Sequence, residues 1–185
     1  AMAEFLARHP ETSAAMAVIK KSAPTAGFAD STFRSLNAFR ATDASGRTTP
    51  IRWAAIPVQP TGTQPGAGTD YLFDDLIAAV ARGPVSWQLV LTLAGAGDRT
   101  DDATVAWPDD RRTIEAGTLT IDAVQTEAAG NARDLNFDPL VLPDGLAPSD
   151  DPLLSARSAV YARSFNRRAR EPKSPSEVRV PDGAR

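Results

Sequence analysis

The stretch Asp151-Pro-Leu-Leu-Ser-Ala-Arg157-Ser-Ala-Val-Tyr161-Ala-Arg-Ser-Phe-Asn-Arg-Arg168 decides how the rest of this chain is read. Asp151 is an N-cap residue type, and Pro152 suits the first helical position. Wound as a helix, the stretch puts Arg157, Tyr161 and Arg168 on one side. At a rise of 1.5 Å per residue, Tyr161 and Arg168 are about 10 Å apart along the axis. A phenol titrates near pH 10 in water and is a poor metal ligand until it loses its proton. An arginine one turn away supplies a fixed positive charge that favours the phenolate. Surface helices carry such pairs routinely. Arg163, Arg167 and Arg170 beside Arg168 also fit a solvated basic face.

The composition sets the limits around this helix. At 185 residues the chain is long enough for one domain with a sizeable core, and its 42% hydrophobic and 23% charged residues are near the globular average. A net charge of −3 gives no sign of a nucleic-acid or anionic-membrane partner. There is no cysteine, which excludes disulfides, thiolate metal sites and cysteine nucleophiles. The single histidine, His9, stands beside Pro10 and reads as a surface or capping residue. One histidine argues against a serine-hydrolase triad and against a histidine-rich metal site. No apolar run approaches the length of a membrane span, and the start AMAEFLARHPET does not read as a signal peptide. Compartment stays open between periplasm and cytoplasm.

Working outward, residues 1–23 read as two short helices, Ala1–Arg8 and Glu11–Lys21, the second with Ala14, Ala15, Val18 and Ile19 at helical spacing; Pro24–Gly27 breaks the pattern. A strand is expected over Ser31–Thr42, a turn at Asp43–Gly46 and a returning strand over Arg47–Val58. Gln59–Gly68 reads as a flexible loop, followed by a helix from Thr69 or Asp70 to Arg82 that Gly83-Pro84 stops. Val85–Leu93 alternates, with Trp87, Leu89, Leu91 and Leu93 on one side, as a strand with one buried face does. After an irregular connection over Gly95–Arg112, a fourth strand is expected at Gly117–Gln125. The tail 171–185 is proline-rich and polar, an extended or disordered arm. The fold class is α+β: four strands in two antiparallel pairs, with flanking helices. Four strands cannot close a barrel and leave two edges to cover, so the chain reads as half of a larger structure.

The motifs bring these elements together. Phe137-Asp138-Pro139, Pro143, Gly145, Ser149 and Asp151, running without gaps into Arg157 and Tyr161, resemble the proximal haem segment of catalases. Asp70-Tyr71, Asp75-Leu76, Gly83 and Ser86-Trp87 resemble that family's helix-to-strand passage. Asp102, Thr104, Val105 and Trp107-Pro108 resemble its D-x-T-x-V-W-P element, shifted by one residue before the tryptophan. Gly117-x-Leu119, Phe33–Gly46 and His9-Pro10-Glu11 also have counterparts. The resemblance covers nearly all of residues 5–170, is most specific over 137–168, and looks most like the small catalase-related haem peroxidases.

The resemblance implies an antiparallel catalase-type barrel, of which residues 1–170 would supply the proximal half with a C-terminal ligand helix. Tyr161 would be the axial ligand of haem b iron, since catalases use tyrosinate, and its distance from Arg168 is roughly that from a haem centre to its propionates. Arg157 would keep Tyr161 ionised, Asp151 would fix Arg157, Arg168 would bind a propionate, and Phe137 and Pro139 would shape the haem face. For the complete protein the implied activity is reduction of hydrogen peroxide or organic hydroperoxides at the expense of an unspecified electron donor. The alternative is a non-catalytic half-barrel for haem or another apolar ligand. The chain departs from the family in lacking a distal histidine, the acid–base for O–O cleavage; where the family often has a histidine in the strand after Phe33, Asn37 stands here. The missing part would come from a preceding segment, a partner chain or another copy of this one.

Overall fold

In the computed structural model, which describes residues 2–21, 25–59, 66 and 68–181, the chain builds helices at both ends of an open antiparallel sheet. Most of the loop expected over Gln59–Gly68, Pro24 of the expected break, and residues 182–185 of the tail lie outside the described residues. Two helices, α1 (Met2–Arg8) and α2 (Pro10–Lys21), come first. The sheet then takes β1 (Phe33–Arg34), β2 (Phe39–Thr42) and β3 (Thr48–Pro57). Helix α3 (Tyr71–Arg82) leads into β4 (Val85–Leu93), β5 (Thr113–Ile121) and β6 (Leu146–Pro148), and α4 (Pro152–Arg170) closes the sequence.

The sheet order is β5-β4-β3-β2-β6, with β1 also paired to β3. Among the described residues the sheet has six strands where about four were expected, all antiparallel and joined in one sheet. Ile51 faces Leu93 and Pro57 faces Trp87, so β3 and β4 form a long ladder joining the two halves. The single strand expected over Ser31–Thr42 is broken between β1 and β2. There Ser35 binds Trp53 twice, its N–H donating to the carbonyl and its Oγ accepting from the N–H, while Asn37 and Ala38 turn fully inward. The fourth strand starts earlier and ends earlier than its alternation suggested. A bulge is the reason: Leu89 faces Gly117 but Val90 faces Glu115, so Ala116 is left unpaired and the side-chain alternation switches phase within β5.

One face of the sheet carries the core in two clusters. Val80 of α3 packs with Ala29, Ala55, Val85 and Trp87, flanked by Leu76 and Ala79. These residues are the apolar face of α3, which Gly83 ends by donating to the Val80 carbonyl. Leu154 of α4 packs on Phe39 and Ile51, flanked by Leu91, Leu93, Leu140, Leu142 and Leu146. Full burial of one such leucine stabilises the fold by roughly 1.5–3 kcal/mol.

The sheet is not closed. Ile114 and Leu119, register partners of Leu91 and Trp87 on the core-bearing face, stay exposed on the edge strand β5. The chain exposes 13066 Å², against about 8,600 Å² for a compact monomer of this mass. The tail after α4 runs back as an extended arm, the Val180 N–H donating to Thr126 Oγ1.

Candidate functional site

The site grows from the N-terminal end of α4. Asp151 Oδ1 accepts from the Leu153 N–H at 2.9 Å, the bond of an N-cap. The Asp151 N–H donates to Ser149 Oγ at 3.3 Å, and Leu154 locks the first turn into the core. One turn further on is Arg157, and one turn beyond it Tyr161.

The other Asp151 oxygen does something the helix does not require. Asn37 Nδ2 donates to Asp151 Oδ2 at 2.8 Å, and Arg157 Nη1 donates to Asn37 Oδ1 at 2.9 Å. Arg157 Nη2 then donates to the Tyr161 hydroxyl at 3.0 Å. The result is one hydrogen-bonded chain, Asp151–Asn37–Arg157–Tyr161, which starts buried and ends at the surface. Asn37 is 1% exposed and Asp151 5%, Arg157 is half-buried, and Tyr161 is 36% exposed. The guanidinium carbon also lies 5.5 Å from the centre of the phenol ring. Asp151 thus reaches Arg157 through Asn37, and it caps the helix as well.

The Phe137-Asp138-Pro139 loop is tied to the same helix. Asp138 Oδ2 accepts from Ser158 Oγ at 2.7 Å, and Oδ1 accepts from the Leu140 N–H at 2.8 Å. Phe137 beside it is 68% exposed, Pro139 is half-buried, and Val160, next to Tyr161 in sequence, is exposed. Arg168 Nη1 donates to the Arg133 carbonyl at 3.2 Å, which leaves its other donors available to an anion. Tyr161, its hydroxyl accepting from a guanidinium and with exposed apolar side chains on its own helix and on the loop tied to it, could contribute to holding an apolar cofactor. Bare ions are a different matter: among the described residues no group of three or more His, Cys, Asp or Glu could hold one.

Other charged groups serve the frame. Asp98 takes both Nε and Nη2 of Arg111, at 2.7 and 2.9 Å, and also the Gly95 N–H. These bonds, with Arg111 first, hold the Asp98 carboxyl below its ordinary value. Arg52 stacks on Trp107 at 4.6 Å and donates to the Val105 carbonyl, and burial holds its guanidinium below the usual value. Both arginines line a groove of about 960 Å³ with Trp53 and Trp107, and Tyr161 is not among its lining residues. His9 lies at the α1–α2 elbow, stacked on Phe5 with ring centres 4.3 Å apart. Trp87 is core, its Nε1 donating to the Ser31 carbonyl.

Sequence reasoning singled out Tyr161, Arg157 and Asp151, and these come together. It missed the link, Asn37. The available signal was an amide inside the apolar run Leu36-Asn37-Ala38-Phe39, where a strand side chain on the buried face needs a polar partner.

No family model matches the chain. It is 33% identical to a catalase-related peroxidase of Synechococcus elongatus over 171 residues, covering 90% of this chain and 50% of that protein. It is 31% identical to a catalase-related peroxidase of Mycolicibacterium paratuberculosis over 173 residues, covering 90% and 55%. In fold it is similar to a bacterial catalase (TM-score 0.72, 18% identity, 97% of this chain and 42% of that one). It is similar also to catalase A of Saccharomyces cerevisiae (TM-score 0.66, 18% identity, 78% and 33%). By sequence over nine-tenths of its length the chain is similar to catalase-related peroxidases and by fold it is similar to catalases, and it spans about half the length of the curated relatives it matches.

Proposed function

We propose that this chain is the proximal half of a haem-dependent oxidoreductase that reduces hydrogen peroxide or organic hydroperoxides. The observation that carries this reading is the Arg157 guanidinium seated on the Tyr161 hydroxyl at 3.0 Å, with a buried polar chain behind it. In this reading Tyr161 would hold the iron of haem b through its oxygen, to which Arg157 donates a hydrogen bond. Arg168 takes a propionate. Phe137 and Pro139 shape the haem face, and Asp151 orients the arginine from inside the protein. Bound haem supplies the redox chemistry at the peroxide O–O bond. Relatives named as catalase-related peroxidases support the activity.

The distal acid–base and the remaining strands come from another segment of the protein or a partner chain. What supports this is the open sheet, whose edge strand β5 is exposed over nearly its whole length, together with the half-length match to the relatives. No helix among the described residues is long and apolar enough to cross a membrane.

The test is haem titration of the full-length protein and its Tyr161→Phe variant, followed by absorbance. The variant is expected to lose the native Soret band. Equal affinity and an unchanged spectrum would overturn the ligand assignment. The 185-residue chain alone is expected to bind more weakly, because a haem covered on one face buries only part of its apolar area.

A further inference from the structure

The turn before the Phe137-Asp138-Pro139 loop and the arm after α4 are closed into a ring by hydrogen bonds. Asn131 is its hub. Its Oδ1 accepts from the Ala128 and Arg133 N–H groups at 3.1 and 3.3 Å, and its Nδ2 donates to the Thr126 carbonyl at 2.9 Å. The turn shaped in this way presents the Arg133 carbonyl to Arg168 Nη1 at 3.2 Å. From the other side, Thr126 Oγ1 accepts from the Val180 N–H at 2.8 Å, and Lys173 Nζ donates back to the Arg168 carbonyl. The ring therefore runs Arg168–Arg133–Asn131–Thr126–Val180 and returns along the arm through Lys173.

The arm lies against the protein along one side. Ser176, Val178 and Val180 are half-buried while Glu177 and Arg179 between them are exposed, the two-residue period of an extended chain on a surface. No residue of the ring belongs to either core cluster. What the ring fixes is one arginine. Among the described residues, Arg168 alone of Arg163, Arg167, Arg168 and Arg170 bonds to a group outside the helix and its cap. It is also the one that stands seven residues after Tyr161, on the same side of α4. An exposed arginine spreads over many rotamers, and an anion must order it on binding. With Nη1 held on the Arg133 carbonyl, part of that ordering is done beforehand, and the Nε–Nη2 edge is left for a carboxylate. Arg111 uses the same edge on Asp98 in this molecule, with its Nη1 on another partner.

We infer that residues 126–133 and the C-terminal arm form a clasp that orders Arg168 for a carboxylate, with Thr126 and Asn131 as its positioning residues. This rests on the reading of Arg168 as the partner of a haem propionate, and it names the part of the chain that makes binding depend on the free acid.

The test is absorbance titration of the full-length haem-free protein with haem and with haem dimethyl ester, whose propionates carry no charge. Arg168→Leu sets the scale: haem should bind about tenfold more weakly, the size of one charge-assisted hydrogen bond, with the ester changed by no more than about twofold. Thr126→Val keeps the side-chain shape and the carbonyl but loses the acceptor for Val180. It should weaken haem about threefold or more, spare the ester, and add nothing once Arg168 is replaced by leucine. Thr126→Ser retains the hydroxyl and should bring haem affinity back to within about twofold of the parent. Asn131→Ala should follow Thr126→Val; if it does not fold, the two Thr126 variants decide. The inference is overturned if Thr126→Val leaves haem affinity unchanged, or weakens haem and ester alike, as general loosening of the fold would. Equal affinity of the parent for haem and ester also overturns it, and leaves the Tyr161 reading standing. A parent that binds neither porphyrin overturns the haem reading and this inference with it.

Discussion

The two ends of α4 use the same residue type for opposite ends. At its start, Arg157 is half-buried and takes part in a chain that reaches from a buried carboxylate to an exposed phenol. Two turns on, Arg163, Arg167 and Arg170 point away from that side and are exposed, and among the described residues Arg167 alone of the three makes an ion pair, with Glu171. Sequence spacing treats these arginines alike. Burial separates them: a hydrogen bond to a buried partner cannot be replaced by water, whereas an exposed pair trades one solvation for another. A helix written with five arginines thus has one whose removal leaves unsatisfied groups inside the protein.

The largest expected effect comes from the origin of the chain. Asp151→Ala removes the N-cap, worth about 1 kcal/mol, and strips a buried amide of its acceptor, a further 1–3 kcal/mol or so. Stability to urea should fall by about 2–4 kcal/mol, and a loss below 1 kcal/mol would mean the carboxylate is only a cap. Next in size is Arg157→Leu. Because Arg157 also satisfies the buried Asn37 oxygen, this variant should cost the haem-free protein about 1–2 kcal/mol as well as weakening haem binding at least tenfold. Calorimetry of the haem-free variant together with haem titration checks the pair, and a change in stability without a change in affinity would break the comparison drawn here.

How much of this could be read from the chain follows the same division. Arg157 and Tyr161 are four apart on one helix, so local geometry alone brings them together. Asp151 was legible as a cap for the same reason. Asn37 was not, because its partners lie 114 and 120 residues away, and only the tertiary fold brings β2 under the start of α4. In the sheet, Val85–Leu93 alternates without interruption and its limits were legible. The strand expected over Ser31–Thr42 hid a break that serves burial of Asn37, and the phase switch at Ala116 displaced β5. The short β6, three residues ending in a proline, carries almost no period to read; it forms because β2 presents Phe39–Ala41 as a template.

A smaller effect should appear away from the site, on the connection between β4 and β5. Asp98 is held below its ordinary value chiefly by Arg111. A carboxyl depressed in the folded state contributes stability that is fully present above its unfolded pKa, near 3.9, and is lost as pH falls through the lower folded value. Thermal unfolding followed from about pH 5 down to about pH 3 should therefore steepen in the parent relative to Arg111→Gln, which has less of that stability to lose. Gly95 belongs to the same clamp, since a Cβ there would lie 2.7 Å from Arg111 Nε. Parallel pH profiles for the two proteins would show that the pair adds nothing to the fold.

The smallest expected effect is the one that sharpens the comparison most. Arg163 is on the same helix as Arg157, six residues on, and its side chain makes no hydrogen bond or ion pair among the described residues. Arg163→Leu removes an exposed charge of the kind whose contributions stay within about 0.5 kcal/mol. It leaves the helix propensity nearly unchanged, because arginine and leucine are both good helix formers. Its melting temperature should move by no more than about 2 °C in a chain of this size, and haem affinity should stay within about twofold. Loss of haem binding in this variant, comparable to that of Arg157→Leu, would mean that the helix acts through its summed positive charge. The division between a buried, partnered arginine and a solvated one would then have no bearing on the site.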